Sequence, residues 1–277
     1  MGILRSRSDL PVARQGSPIR PSGHKRNVLT AILFGLAASS ALVIGAIVGS
    51  LWDPPREVTG VLLAFASGAL ISALAFELFE EAYHLGGAAR SGLALLAGAA
   101  AFVAADTWLD RRVTGQAGPE QREVAGKAAA QATSGAQRTV GFALLAAVTL
   151  DGVPENLALG VSLVDDASLA LLVAIFFSNL PESLVGAVAM RAGGQHMRSV
   201  VGTWVVCAAL LAIAVVAGRA LAEPMSDEVL AVALGFAGGA VLASLADTLM
   251  PEAFERGRPY NAFACAAGFF LSFILAA

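Results

Sequence analysis

From residue 28 to the last residue the chain alternates between long apolar runs and short polar joints. Crossing the hydrocarbon core of a bilayer takes about 17–25 helical residues. Eight runs reach that length: 28–51, 58–82, 91–109, 140–164, 167–190, 199–218, 228–250 and 259–277. The pattern predicts an all-α polytopic membrane protein with eight transmembrane helices. Most joints carry turn residues: Trp52-Asp-Pro-Pro55, Gly86-Gly87, Asp165-Asp166 and Gly193-Gly194. Residues 110–139 differ. They are polar, rich in Ala, Gly and Gln, and lack apolar periodicity, so they read as a long loop.

Composition sharpens the class. Hydrophobic residues make up 57% and charged residues 14% of the 277 positions, where a soluble domain carries about 25% charged. The formal charge of −3 gives no reason to expect a nucleic-acid partner; the expected surroundings are a lipid bilayer, with a multi-pass placement in the cell membrane. Residues 1–27 form a polar, Arg-rich tail with no apolar core of a signal peptide. Two units follow: the tail, and a transmembrane domain over 28–277. Cys207 and Cys265 lie inside apolar runs and are expected to pack as small hydrophobes rather than form a disulfide.

Loop charge bears on orientation. With the N-terminus outside, the inner loops 52–57, 110–139, 191–198 and 251–258 hold ten Lys and Arg. The opposite orientation gives eight, six of them in the N-terminal tail. The short loops favour an outside N-terminus and a cytoplasmic 110–139 loop, whereas Lys25 and Arg26 beside the first span oppose it.

The second and seventh spans repeat one another. Phe65–Ala82 reads FASGALISALAFELFEEA and Phe236–Ala253 reads FAGGAVLASLADTLMPEA, with nine of eighteen positions identical. Five spans separate them, so the copies cross the membrane in opposite senses. This predicts an inverted repeat, spans 1–3 against spans 6–8, around a central pair, spans 4 and 5.

The central pair carries the chemistry. Asp151-Gly-Val-Pro-Glu155 lies in the fourth span and Ser178-Asn-Leu-Pro-Glu182 in the fifth. A carboxylate at bilayer depth costs about 2.5 kcal/mol or more, and no Lys or Arg falls well inside a predicted span to offset it. A cation or a proton from outside is the natural partner. Residues four apart share a helix face, as Asp151 and Glu155 do, and Ser178 and Glu182. Pro154 and Pro181 each leave the carbonyl four residues earlier without its helical donor. Asp151, Glu155, Ser178, Asn179 and Glu182 are therefore the candidate ligands of one ion. Asp106 and Asp247 also fall within spans, with bonding to a neighbouring Ser or Thr as the structural alternative. Glu77, Glu80 and Glu81 lie towards a span end. His24, His84 and His196 sit in the tail or loops, and there is no HExxH, CxxC or Walker A motif. Nothing points to an enzyme, a structural zinc site or a bound cofactor.

At these residues the chain resembles the ZIP (Zrt/Irt-like) family of divalent-metal transporters. Eight spans, a long third loop, tandem Pro-Glu motifs in the fourth and fifth spans and the Gly-rich second and seventh spans carry the resemblance over nearly all of 28–277. It implies transport of a divalent metal (zinc, iron or manganese) toward the cytoplasm by alternating access, with a homodimer allowed. Glu155 and Glu182 match the family's two motif glutamates. Asp151 stands at the histidine ligand, Gly152 at the asparagine, and Ser178 and Asn179 at the two polar positions before the fifth-span proline. The sixth span lacks the carboxylate many members supply. Oxygen ligands in place of imidazole favour hard cations. The alternative is a ZIP-fold protein that senses metal or serves as a membrane scaffold without transporting.

Overall fold

A computed structural model describes residues 24–113, 149, 152–164 and 168–277. Among them the regular structure is entirely helical. Apolar composition and the scarcity of interior prolines dictate this, because lipid leaves no water to satisfy a backbone that does not bond to itself. The helices are α1 (His24–Leu51), α2 (Arg56–Ala73), a π-helical segment (Leu74–Phe79), α3 (Glu80–Val113) and α4 (152–162). Then come α5 (Leu169–Ala192), α6 (Met197–Ala222), α7 (Asp227–Ser244), a second π-helical segment (Leu245–Leu249), α8 (Met250–Gly257) and α9 (Asn261–Ala276).

Among the described residues, five apolar helical runs are long enough to cross a membrane: Val28–Leu51, Arg56–Trp108, Leu169–Ala192, Met197–Ala222 and Asp227–Gly257. The second holds 53 residues, about 80 Å of helix and more than twice the hydrocarbon thickness. It breaks at Gly87, whose φ of 73° and ψ of 167° lie outside the helical region and suit only glycine. α9 is apolar but has 16 residues. Large apolar side chains such as Leu33, Leu36, Leu93, Leu96, Ile213, Phe263 and Phe270 lie exposed on the outer faces, as a lipid-facing surface requires. The protein is an all-α multi-pass membrane protein.

Small residues set the packing, as expected where lipid supplies no hydrophobic drive between helices. α2 packs on α9, and α3 on α7. A methyl group on Gly68 would overlap the Cys265 carbonyl, and one on Gly268 the Phe65 carbonyl. In the other pair, a methyl group on Gly239 would overlap the Leu95 carbonyl, and one on Gly98 the Phe236 carbonyl. Both crossings thus bring two backbones together glycine to carbonyl, reciprocally. α1 lies against both α5 and α6; Gly45 and Gly49 leave room for the backbone of Leu180 and Leu184. α4 meets α6 where Gly160 approaches the Val215 carbonyl and Gly218 the Leu157 carbonyl. Pro251 has no N–H for the Asp247 carbonyl, and the helix loosens to π geometry over the turn that precedes it.

α6 runs past the predicted end of the sixth span to Ala222. Arg219 is therefore inside the last turn of the helix and buried, with its Nη1 at 4.0 Å from Glu223. The span read from hydropathy stops at 218 because the arginine lowers the local average.

Candidate functional site

The central polar residues sit where α4 and α5 meet. Gly152 is the first described residue of α4, and a side chain at that position would press on Leu211 of α6. Pro154 is helical within α4. Pro181 lies in the interior of α5 and removes a helical donor there. The neighbouring Phe177 packs edge-on against Phe65, with ring centroids 5.0 Å apart, which fixes α5 against α2.

Glu155 is 3% exposed, and the Ser178 hydroxyl donates to its Oε2 at 3.0 Å. The same hydroxyl lies 3.0 Å from the Ile175 carbonyl, an acceptor one turn back in α5. The two Pro-Glu segments are therefore joined by a buried hydrogen bond between helices. Asn179 is fully buried and its Nδ2 donates to the Ala38 carbonyl of α1 at 3.3 Å. Ser183 is also buried and approaches the carbonyls of Asn179 at 2.8 Å and Ala41 at 3.3 Å. α5 is thus anchored to α1 on one side and to α4 on the other.

Glu182 is half-buried, one helical turn beyond Ser178. Cys207 is fully buried within an apolar cluster that includes Trp204, Met190 and Leu211. Its sulfur lies 4.0 Å from the Thr149 hydroxyl. Both cysteines are free thiols, as their apolar context predicts.

Of the five candidate ligands, Glu155 and Ser178 are in direct contact. Asn179 and Glu182 lie on α5 with Ser178, while Asn179 directs its amide nitrogen to α1. Asp151 lies outside the described residues, as does most of the 110–139 loop. Among the described residues, no three His, Cys, Asp or Glu side chains gather into a group that could hold a metal. Asp106 is buried and Asp247 is exposed. Glu77 is half-buried in the first π-helical segment, and the Ser168 hydroxyl accepts from the Leu171 N–H to cap α5.

The sequence reading passed over three polar groups near this region. Asn156 follows Glu155 directly and is fully buried, its Nδ2 donating to the Gly152 carbonyl at 2.8 Å. Its signal was available: a second polar residue beside a membrane glutamate. Thr149 and Arg219 had weaker ones, a lone hydroxyl in an apolar run and a basic residue at a span boundary. The chain matches no protein-family model and no characterised protein.

Proposed function

We propose that the chain is a ZIP-like carrier that moves a divalent cation across a membrane toward the cytoplasm. The observation that carries this reading is the buried hydrogen bond from Ser178 to Glu155. It joins the two Pro-Glu segments inside a helix bundle, where an intramembrane carboxylate is a functional-site candidate. Asp151, Glu155, Ser178, Asn179 and Glu182 are assigned as the ligand set. All are oxygen donors, a chemistry that suits manganese and iron and still admits zinc.

Eight spans and an inverted repeat belong to this proposal. The turn at Gly87 divides the long second run into two legs. In the aligned copies Phe65–Ala82 and Phe236–Ala253, Gly68 corresponds to Gly239 and Leu74 to Leu245. Each glycine underlies a close crossing, and each leucine opens a π-helical segment. Matched crossings and matched helix distortions at corresponding positions support two related halves. Those halves would rock about α4 and α5, exposing the central site to one side and then the other. With no ATP-binding motif in the chain, the cation gradient and the membrane potential supply the drive.

Glycine at 152 and serine at 178 motivate a second reading, a protein of the same fold that binds metal without moving it. Flux separates the two. Purified protein in sealed vesicles should take up at least one of Mn, Fe, Zn, Co or Cd, and uptake should fall on Glu155→Gln. Metal binding without uptake of any of the five would favour the sensor or scaffold; neither binding nor uptake would end both readings.

A further inference from the structure

We propose that Arg258 and Arg56 seat the phosphate of an anionic phospholipid headgroup at the corner where α2, α8 and α9 meet. Such binding is independent of any cargo, so it stands apart from the carrier reading. Helix direction gathers arginines at one end of the bundle. α1 and α5 run the same way: Asn179 bonds Ala38, and Gly45 and Gly49 lie against Leu180 and Leu184. Their last turns therefore share an end, with Arg191 in that of α5. Arg198 follows in the first turn of α6, and Arg56 opens α2 just after the joint 52–55. Gly60, one turn into α2, lies against the backbone of Arg256 and Gly257, which brings Arg256 and Arg258 to the same end. At the opposite end α6 passes into α7 through Glu223, Asp227 and Glu228, and Gly86 packs on Ala231. The described side chains there include one exposed arginine, Arg90. Basic residues gather at the cytoplasmic surface, where the leaflet carries negative headgroups.

Two of these arginines meet at one corner without a partner. Arg256 pairs with Glu252 at 2.9 Å, and Arg191 donates to the Gln195 carbonyl at 2.6 Å. Arg258 instead lies over the Phe254 ring, 4.0 Å from its centroid. Neither Arg258 nor Arg56 has an ion-pair partner among the described residues, although Asp53, Glu57 and Glu255 are exposed at the same end. Phe254, Tyr260 and Phe263 are 50%, 62% and 80% exposed. Exposed aromatic rings of this kind mark the boundary between hydrocarbon and headgroups. Arg258 therefore stands at headgroup depth, resting on a ring by a cation–π contact. A guanidinium offers paired donors that match two phosphate oxygens. Arg56 adds a second positive charge where Gly60 closes α2 onto α8. In a zwitterionic lipid the headgroup's own ammonium neutralises the phosphate; an anionic lipid leaves that charge for the arginines.

The test uses the full chain purified in detergent and titrated with phosphatidylglycerol or phosphatidylcholine. Native mass spectrometry counts bound lipid, and thermal unfolding in phosphatidylcholine checks the fold. Wild type should retain phosphatidylglycerol in preference. Arg258→Gln and Arg56→Gln should each weaken that binding about fivefold. Their melting temperatures in phosphatidylcholine should match wild type, since both side chains are exposed. Arg198→Gln removes an exposed arginine at the same end but on α6, and should leave the binding unaltered. Unchanged affinity in Arg258→Gln overturns the proposal. Equal weakening by Arg198→Gln also overturns it, because the attraction would then be diffuse. Equal retention of the two lipids removes the preference for an anionic headgroup and overturns it too. Displacement of phosphatidylglycerol by an equal concentration of inorganic phosphate would make the seat one for free phosphate rather than lipid. Should Arg258→Gln fail to fold, Arg56→Gln decides by the same comparison.

Discussion

The hydroxyl of Ser178 donates to Oε2 of Glu155 at 3.0 Å, across the boundary between two helices that each carry a Pro-Glu step. The bond holds a carboxylate that is 3% exposed and gives α4 and α5 a shared polar centre. Removing the hydroxyl leaves the buried carboxylate short of a donor. Ser178→Ala should therefore lower stability by about 1–3 kcal/mol, the usual cost of an unmet buried polar group. Thermal unfolding of the purified variant measures this, and a loss near zero would mean that water replaces the hydroxyl.

Glu155→Ala and Glu182→Ala should each weaken divalent-cation binding by roughly a hundredfold or more while the protein still inserts. Each removes an anionic ligand, and second-sphere losses alone reach about 10–100-fold. Uptake by vesicles containing each variant is the measurement. Undiminished uptake by both would remove these carboxylates from the site.

Asp151→His should move the metal ranking toward zinc. Imidazole is a good zinc ligand, whereas carboxylate oxygen is shared among many divalent cations. A competition series with Zn²⁺ and Mn²⁺ on wild type and variant reads the shift, and an unaltered ranking would mean that residue 151 does not meet the ion.

Metal binding should weaken as pH falls from about 7 to about 5. Protons and metal compete for the same carboxylate oxygens, so occupancy by metal releases protons. Affinity is therefore highest where the carboxylates are ionised and is lost as they protonate on acidification. Titrations at fixed ionic strength isolate this from screening. A flat profile would show that no proton is displaced.

Gly68→Val and Gly239→Val should each destabilise the bundle by about 2 kcal/mol or more, because the added carbons overlap the Cys265 and Leu95 carbonyls. Gly202 provides the contrast. It has nothing within 4 Å of a side-chain position, and Gly202→Ala should stabilise its helix by about 0.5–1 kcal/mol. Melting temperatures of the three variants compare the sites directly, and equal values would mean that the glycine crossings do not hold the helices together.

Local chemistry made the helices and their breaks readable in the chain. Apolar length and the glycine pair at 86–87 act within a few residues of themselves, and the described helices follow them, whereas α5 continues through Pro181 without a break. The Pro-Glu segments were legible for the same reason: a glutamate in an apolar run is conspicuous whatever surrounds it. What one strand of sequence does not contain is which helix lies against which, and at what height. The choice of Ser178 as the partner of Glu155 and the burial of Arg219 depend on crossings set by glycine–carbonyl contacts between distant segments. Asn156 illustrates the division. Its presence beside Glu155 is plain in the sequence, but only packing against other helices buries it.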